Sequence, residues 1–188
     1  MTPTWLYDAA MRVFAWLGLD RLRRRLVEDA RGRVLEVGIG TGLNARFFGR
    51  AAWPVGIDPD RAGLLAARRR GARRLVVARA EALPFRDGAF DEVVFSLTLC
   101  TIPEPRQALG EAVRVVRPGG LVRFLEHVRP PGLLGRLAHG LTPAWRHVAG
   151  GCHLDRATDA LVREEGLTLE GERRFLRGFG WEARARRT

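Results

Sequence analysis

The segment Glu36–Gly42 constrains the fold of this chain more than any other stretch. It reads Glu-Val-Gly-Ile-Gly-Thr-Gly, and it continues the short apolar stretch 33–37 into glycines at 38, 40 and 42. Because glycine has no Cβ, the backbone can turn sharply there and approach a ligand closely. We therefore predict a strand, a ligand-binding turn and a helix whose first N–H groups are free, in that order.

Asp58 adds a second binding feature. Residues 53–57 form another short apolar stretch, which ends at this aspartate. A carboxylate at the end of such a strand can accept hydrogen bonds from both hydroxyls of a ribose. The glycine turn and Asp58 together predict a site for an adenosine-containing cofactor. The glycines alone leave a nicotinamide cofactor open, since a dinucleotide pattern that starts at Gly40 continues through Gly42 to Ala45.

The rest of the chain alternates between strand and helix patterns. Strands are predicted at 33–37, 53–57, 75–78, 91–95, 121–125, 167–175 and 179–186. Helices are predicted within 4–30, between the first two strands, and near 59–70, 105–116 and 155–165. This alternation predicts an α/β fold: a mostly parallel seven-stranded sheet with helices on both faces and a C-terminal antiparallel hairpin.

Length and cysteine content limit the organisation. A chain of 188 residues and 21.0 kDa fits one domain. Within it we expect an N-terminal helical cover (1–32), a binding core (33–127), an insertion acting as a substrate lid (128–153), and a final helix and hairpin (154–188). The two cysteines give no disulfide framework and no signal peptide is visible, so we expect a cytoplasmic location.

The net charge of +11 is carried by arginine alone, because the chain contains no lysine. Such a charge attracts nucleic acid, anionic lipid or an acidic ligand. The arginines are spread along the chain, which favours a solvated surface over a nucleic-acid interface. Arg21 and Arg23–Arg25 follow an aromatic-rich amphipathic stretch, so weak contact with a membrane surface stays open.

Five segments match one family in order: Glu36–Gly42, Val55–Pro59, Ala80–Phe85, Asp87–Asp91 and Arg117–Gly120. Over residues 33–126 the chain resembles the class I S-adenosyl-L-methionine (SAM) dependent methyltransferases of the type 11 kind. The resemblance implies a Rossmann-like fold, SAM as the methyl donor and S-adenosyl-L-homocysteine as the product.

A narrower resemblance extends into the C-terminal half. The chain is similar to the methyltransferase-like thiol methyltransferases at four places: Leu97–Thr101, Leu125–Val128, Pro143–Trp145 and Gly151–Cys152. The core also resembles ubiquinone/menaquinone C-methyltransferases and phospholipid N-methyltransferases. These likenesses imply a small apolar or thiol-bearing acceptor, methylated by direct in-line displacement.

Two alternatives remain beside that interpretation. An RNA methyltransferase would suit the charge, but no RNA-binding module is visible. The residues after the fourth strand, Ser96–Leu99, also lack an Asn-Pro-Pro-Tyr-like motif. The other alternative is a SAM-binding regulatory protein without catalytic activity, whose acceptor pocket would be filled by its own side chains. The sequence does not indicate an oligomeric state.

The family resemblance also implies roles for individual residues. The glycines should face the methionine part of SAM with Glu36 near its amino group, while Asp58 should hold the ribose. Arg79 stands where the family often has an aspartate that contacts the adenine amino group. The full set of expected cofactor-binding residues is Glu36, Gly38, Gly40, Gly42, Asp58, Pro59, Ala80, Glu81, Ser96 and Leu97.

The catalytic demands are modest, because SAM already carries an activated methyl group and correct orientation can supply most of the rate. A protein base is optional for a thiol acceptor and more useful for a phenol or a carbon acid. His127, just past the fifth strand, is the candidate base. Tyr7, Cys100 and His147 are candidates for the acceptor pocket.

No metal is expected from the spacing of potential ligands. Cys152 and His153 are adjacent, but the chain has no Cys-x-x-Cys or His-x-x-x-His pair. Methyl transfer from SAM needs no enzyme nucleophile, so Cys100 and Cys152 are expected to serve packing.

Overall fold

A seven-stranded sheet organises the computed structural model, which describes residue 11, residues 14–148 and residues 151–188, without the side chains of residues 17, 147 and 148. The strands are β1 Gly32–Val37, β2 Ala52–Asp58, β3 Leu75–Val77, β4 Phe90–Ser96, β5 Val116–His127, β6 Leu167–Phe175 and β7 Gly180–Arg187. Their order in the sheet is β3-β2-β1-β4-β5-β7-β6. Neighbours among β1 to β5 are parallel, whereas β7 runs antiparallel to β5 and β6. The predicted α/β sheet with a C-terminal hairpin is confirmed.

The helices of the described residues are α1 Asp20–Val27, α2 Arg61–Arg69, α3 Pro105–Val115, α4 Gly132–Val148 and α5 Thr158–Glu164. The predictions near 59–70 and 105–116 are confirmed, and the one at 155–165 is shortened to α5. A π-helical turn at Ala15–Leu19 precedes α1 and is interrupted at Gly18, whose φ is 106°. Most of the predicted first helical piece, from residue 4, lies outside the described residues. No helix among the described residues is both long and apolar enough to cross a membrane.

The core lies on both faces of the sheet, because successive strand residues point to opposite sides. On one face, residues from β1, β4 and β5 pack under α1: Val34, Val94 and Leu125 against Leu26 and Val27. On the other face, Phe124 stacks on Phe95 with ring centroids 5.7 Å apart, and Trp181 of β7 packs beside it. All of these side chains are buried.

The predicted helix after the glycine turn is absent, which corrects the sequence-based expectation. Between β1 and β2 the chain forms turns and one short 3-10 turn, Ala45–Phe47, and it is extended again at Phe48. The left-handed turn ends at Gly42, and Gly49 already lies against the backbone of Glu28, where a Cβ would meet the carbonyl oxygen at 2.6 Å. Too few residues remain between them to nucleate an α-helix.

The insertion at 128–153 is more regular than its glycines and prolines indicated, because α4 occupies most of it. Residues at helical spacing face inward, among them Leu134, Ala138 and Thr142. Pro143 lies inside the helix, and the hydroxyl of Thr142 donates to the carbonyl of Ala138 in the turn before it.

The two edges of the sheet differ from its centre. β3 has three residues. At the opposite edge, β6 carries charged side chains from Glu170 to Arg174, and its pairing with β7 is irregular between Leu169 and Gly171. Its side chains are largely exposed.

A buried ionic cluster joins α1 to the sheet. The guanidinium of Arg123, on β5, is 2% exposed and pairs with Glu92 of β4 and with Asp29, which follows α1. It also donates to the carbonyl oxygen of Leu26. Each of these contacts is long-range in sequence, so the cluster fixes where α1 lies on the sheet.

We expect Arg123→Met to lower the free energy of unfolding by about 3–5 kcal/mol, because Glu92 would remain as a buried carboxylate without its cation. Urea denaturation followed by circular dichroism measures the change. Arg106→Met is the matched control, since its pair with Glu164 is exposed on both sides and such pairs contribute about 0–1 kcal/mol. Equal losses in the two variants would contradict the importance of the buried cluster.

Candidate active site

The glycine turn lies where β1 ends, at the edge where the carboxyl ends of the parallel strands meet. Gly38 has a φ of 69°, and a Cβ on it would lie 2.2 Å from Cγ2 of Thr98. Glycine at this position therefore lets the loops after β1 and β4 touch. Gly40 has a φ of 53°, but no atom of the described residues lies within 4 Å of where its Cβ would be. The backbone at Gly40 consequently faces open space that a ligand can enter.

Asp58 ties this turn to the end of β2. Its Oδ2 accepts the N–H of Gly40 at 2.9 Å, and its Oδ1 accepts the N–H of Asp60 at 2.8 Å. Burial raises the pKa of Asp58, although both hydrogen bonds oppose the rise. Each carboxylate oxygen can accept more than one hydrogen bond, so both retain capacity for ribose hydroxyls.

A cleft beside the glycine turn is lined by Arg23, Glu36, Gly38, Gly40, Ser96 and Leu97. Glu36 has one carboxylate oxygen in it without a partner among the described residues. Its side chain is buried, Oε1 accepts from Nδ2 of Asn44 at 2.7 Å, and Oε2 has no hydrogen-bond partner among the described residues. Burial raises the pKa of Glu36 to about 7. Ser96 Oγ is likewise buried without a partner, and it lines the same cleft as Gly38 and Gly40. Buried polar atoms left unpaired are costly, so the two indicate that a polar ligand group completes the cleft.

Arg23 is a cleft residue that the sequence analysis missed as a binding group. It projects from α1 into the cleft beside Glu36, is 5% exposed, and donates Nη1 to Oδ1 of Asn44 at 2.9 Å. The sequence does contain a pattern that could have identified Arg23, because it shares the apolar face of α1 with the buried residues Leu26 and Val27. A charged residue on such a face is informative, although in sequence Arg23 stands among the exposed residues Arg21, Arg24 and Arg25.

The residues expected around adenine lie at the ends of β2 and β3, apart from the cleft around Glu36. Pro59 is exposed, while Ala80 and Glu81 are buried. Arg79 is exposed and places Nη2 3.2 Å from Oε1 of Glu81. Glu81 is thus an acidic group at this edge, two residues after Arg79, the position where the family often has an aspartate.

The loop after β4 is wrapped around the carboxylate of Glu126, at the end of β5. Oε1 accepts the N–H groups of Thr98 and Leu99 at 2.8 and 3.0 Å, and Oε2 accepts that of Cys100 at 3.3 Å. Leu97 begins this loop with a positive φ of 57°, and its N–H donates to the carbonyl of Leu125 at 2.7 Å. Burial raises the pKa of Glu126 to about 7. Its geometry assigns Glu126 to shaping the loop.

His127 lies in a cluster with the two cysteines. Its Nδ1 is 3.3 Å from Sγ of Cys152, which in turn is 3.3 Å from Sγ of Cys100. The hydrogen bond between the two cysteine sulfurs is the main cause that lowers the pKa of Cys152 to about 5, and the same contact raises the pKa of Cys100. Burial opposes protonation of His127, yet the contact with Cys152 raises its pKa. Tyr7 and the side chain of His147, expected in the acceptor pocket, lie outside the described residues.

Comparison with known proteins agrees with this geometry. Residues 35–124 match the family described as "Methyltransferase domain". The chain is 36% identical over 137 residues to the thiol S-methyltransferase TMT1B of Rattus norvegicus, covering 66% of this chain and 55% of that protein. It is also 36% identical over 146 residues to a phosphatidylethanolamine N-methyltransferase of Cereibacter sphaeroides, covering 73% of this chain and 71% of that protein. The chain thus spans about half the length of its thiol methyltransferase relative.

A solved structure from Thermotoga maritima, described as a SAM-dependent methyltransferase and possible histamine N-methyltransferase, has the same fold. It superposes with a TM-score of 0.73 at 22% identity, covering 97% of this chain and 94% of that one. The chain belongs to the class I SAM-dependent methyltransferases. Its cofactor is SAM, and the unpartnered oxygens of Glu36 and Ser96, with the open backbone at Gly40, fit the polar methionine end of that molecule.

Arg23→Met should weaken SAM binding on the order of 10- to 100-fold, because a charge-assisted hydrogen bond contributes about 1.5–3 kcal/mol. The structural reason is that Arg23 is the cation among the described residues that line the cleft, and a cation there can meet the SAM carboxylate. Isothermal titration calorimetry measures the affinity. Binding of 5′-methylthioadenosine, which lacks the amino-acid part, should change little, and Arg21→Met, exposed on the same helix, is the control. Equal weakening for both ligands would refute the contact with the carboxylate.

SAM binding should also depend on pH through Glu36. The pKa of Glu36 is about 7 in the free protein, and an ammonium group held at Oε2 favours the carboxylate form. Affinity is therefore fully developed above this pKa and falls as the pH drops through it, by up to about tenfold per pH unit. Titration calorimetry across this range compares the protein with Glu36→Gln, which should bind more weakly and lack this dependence. An identical pH profile in both proteins would contradict the assignment.

Proposed function

We propose that the protein transfers the methyl group of SAM to the sulfur of a small, apolar thiol. The observation that carries the proposal is the loop after β4, which meets the cleft at Ser96 and Leu97 and continues through Cys100. From Ser96 to Thr101 it contains neither a carboxylate nor an amide that could hold or deprotonate an amine. A thiol needs neither, since its thiolate is the nucleophile and forms far more readily than an alkoxide; free cysteine, for example, has a pKa of about 8.5. The 36% sequence identity to a thiol S-methyltransferase over 137 residues supports a thiol acceptor.

In this proposal the two ends of the cofactor are held by different elements. Glu36 and Arg23 hold the ammonium and carboxylate groups, and Asp58 holds the ribose. The remaining contacts follow the expected set, with Pro59, Ala80 and Glu81 around the adenine and Ser96 and Leu97 beside the sulfonium. When bound, SAM supplies a methyl group activated by its sulfonium charge.

The protein's own residues then orient the acceptor and exclude water. Glu126 holds the backbone of Thr98–Cys100, so the loop keeps one shape beside the cleft. His127 directs Nδ1 at Cys152, which favours a positioning role over that of the base expected from the sequence. We propose that the acceptor thiol loses its proton to bulk solvent before it enters the cleft. Its sulfur then attacks in line with the methyl–sulfur bond of SAM, and S-adenosylhomocysteine leaves with the bonding electron pair.

We also propose that the protein works in the cytoplasm. Its two cysteines are free although their sulfurs lie within 3.3 Å of each other, and a reducing compartment keeps such a pair as thiols.

The acceptor is tested with pairs of compounds that differ in one atom. An alkanethiol and thiophenol should yield S-adenosylhomocysteine and the methyl thioether, whereas the matching alcohol and phenol should give at least about 100-fold less product. Mass spectrometry identifies the methylated product. In parallel, radiolabelled SAM is incubated with fractionated extract that contains lipid, RNA and protein.

A different distribution of the label would support a different function. Label in the RNA fraction would favour the RNA methyltransferase, and label in lipid amines would favour a phospholipid acceptor. Intact SAM binding with no transfer to any fraction would favour a regulatory SAM-binding protein. Arg21→Met, away from the cleft, is the control for nonspecific effects of mutation.

A further inference from the structure

We propose that Cys100, His127 and Cys152 bind one zinc ion. The three residues come from separate segments: the loop after β4, the end of β5, and the chain that follows α4. Their potential ligand atoms, two thiol sulfurs and a ring nitrogen, lie within 4.8 Å of one another. The site is independent of which acceptor the enzyme methylates, because it rests on these side chains alone.

The distances are close to those of a tetrahedral zinc site. With Zn–S near 2.3 Å and Zn–N near 2.0–2.1 Å, ligand atoms are roughly 3.4–3.8 Å apart. The observed separations are 3.3 Å from His127 Nδ1 to Cys152 Sγ and 3.3 Å between the two sulfurs. The third separation, between the His127 ring nitrogen and Cys100 Sγ, is within 4.8 Å. Side-chain movements of up to roughly one ångström would therefore admit the ion.

The chemistry of the cluster selects among metals. Sulfur and imidazole ligands suit zinc, whereas calcium and magnesium prefer oxygen. The nearest carboxylate on β5, Glu126, is already engaged with three backbone N–H groups. Two thiolates and a neutral imidazole also balance the two positive charges of zinc, and this neutrality suits a site in which both cysteines are buried.

Neighbouring contacts hold the ligands in place before any ion binds. The N–H of His153 donates to the carbonyl of Cys100 at 2.8 Å, which joins the segments that carry the two cysteines. Arg156 donates to the carbonyl of Ile102 at 2.7 Å and to that of Leu99, on either side of Cys100. Such supporting contacts are typical of metal sites. Three protein ligands leave a fourth tetrahedral position for water or an exogenous thiolate.

The zinc site is tested on the whole protein, purified with a reductant and stripped with a chelator. Zinc titration against a chromophoric chelator should show one equivalent bound with a Kd below about 1 μM. Cobalt(II), used as a spectroscopic probe, should give a thiolate-to-metal charge-transfer band and the intense visible bands of a tetrahedral site. This readout is independent of methyl transfer.

Variants test the ligand set. Cys100→Ser, Cys152→Ser and His127→Gln should each weaken zinc binding by at least about 100-fold, the upper end of what losing a mere supporting contact costs. His153→Gln is the matched control, since it neighbours Cys152 but lies outside the cluster. SAM binding reports whether each variant is folded, and the cobalt spectrum of the unmodified protein decides the question if a variant is not.

Three outcomes would overturn the proposal. The first is the absence of zinc and cobalt binding by the reduced protein. The second is undiminished binding in all three variants. The third is a disulfide between Cys100 and Cys152 that persists under the reducing conditions of purification, seen as a mass two hydrogens lower.

Discussion

The loop after β4, which borders the cleft, depends on the buried carboxylate of Glu126. This carboxylate is fully buried at the end of β5 and accepts three consecutive backbone N–H groups from the loop. Those bonds place Leu97 beside the cleft and Cys100 beside His127. The loop has no regular structure, yet its conformation is fixed. The carboxylate accepts its backbone N–H groups in the way that a capping side chain accepts the first N–H groups of a helix.

A second buried charge on β5 organises the opposite side of the site. Arg123 binds Glu92 and Asp29 and so holds α1 on the sheet, and α1 carries Arg23 into the cleft. One strand thus carries two buried ionic groups, three residues apart, that act on different faces. Arg123 positions the helix that carries Arg23 into the cleft, and Glu126 positions the loop after β4, which borders the same cleft. Neither group needs to touch a ligand to determine the shape of the site.

Short sequence patterns predicted those parts of the fold and site that are determined within a few residues. The glycine turn, Asp58 and the hairpin were visible because each depends on a few neighbouring residues. The missing helix before β2 and the presence of α4 were not, since both depend on packing that outweighs the preferences of glycine and proline. The cluster of Cys100, His127 and Cys152 was hidden for another reason. Its members are 25 to 52 residues apart, and only the topology of β4 and β5 brings them together.

The edge strands of the sheet limit how another chain could pair with this protein. Among the described strands, β3 and β6 form the two edges at which a neighbouring chain could extend the sheet. β3 offers three residues, and β6 offers a register irregularity flanked by charges of both signs. Both features make strand addition unfavourable, which is how natural sheets avoid aggregating edge to edge. We therefore expect a partner to contact the helices and loops of this protein, because neither described edge offers a long, regular row of free backbone groups.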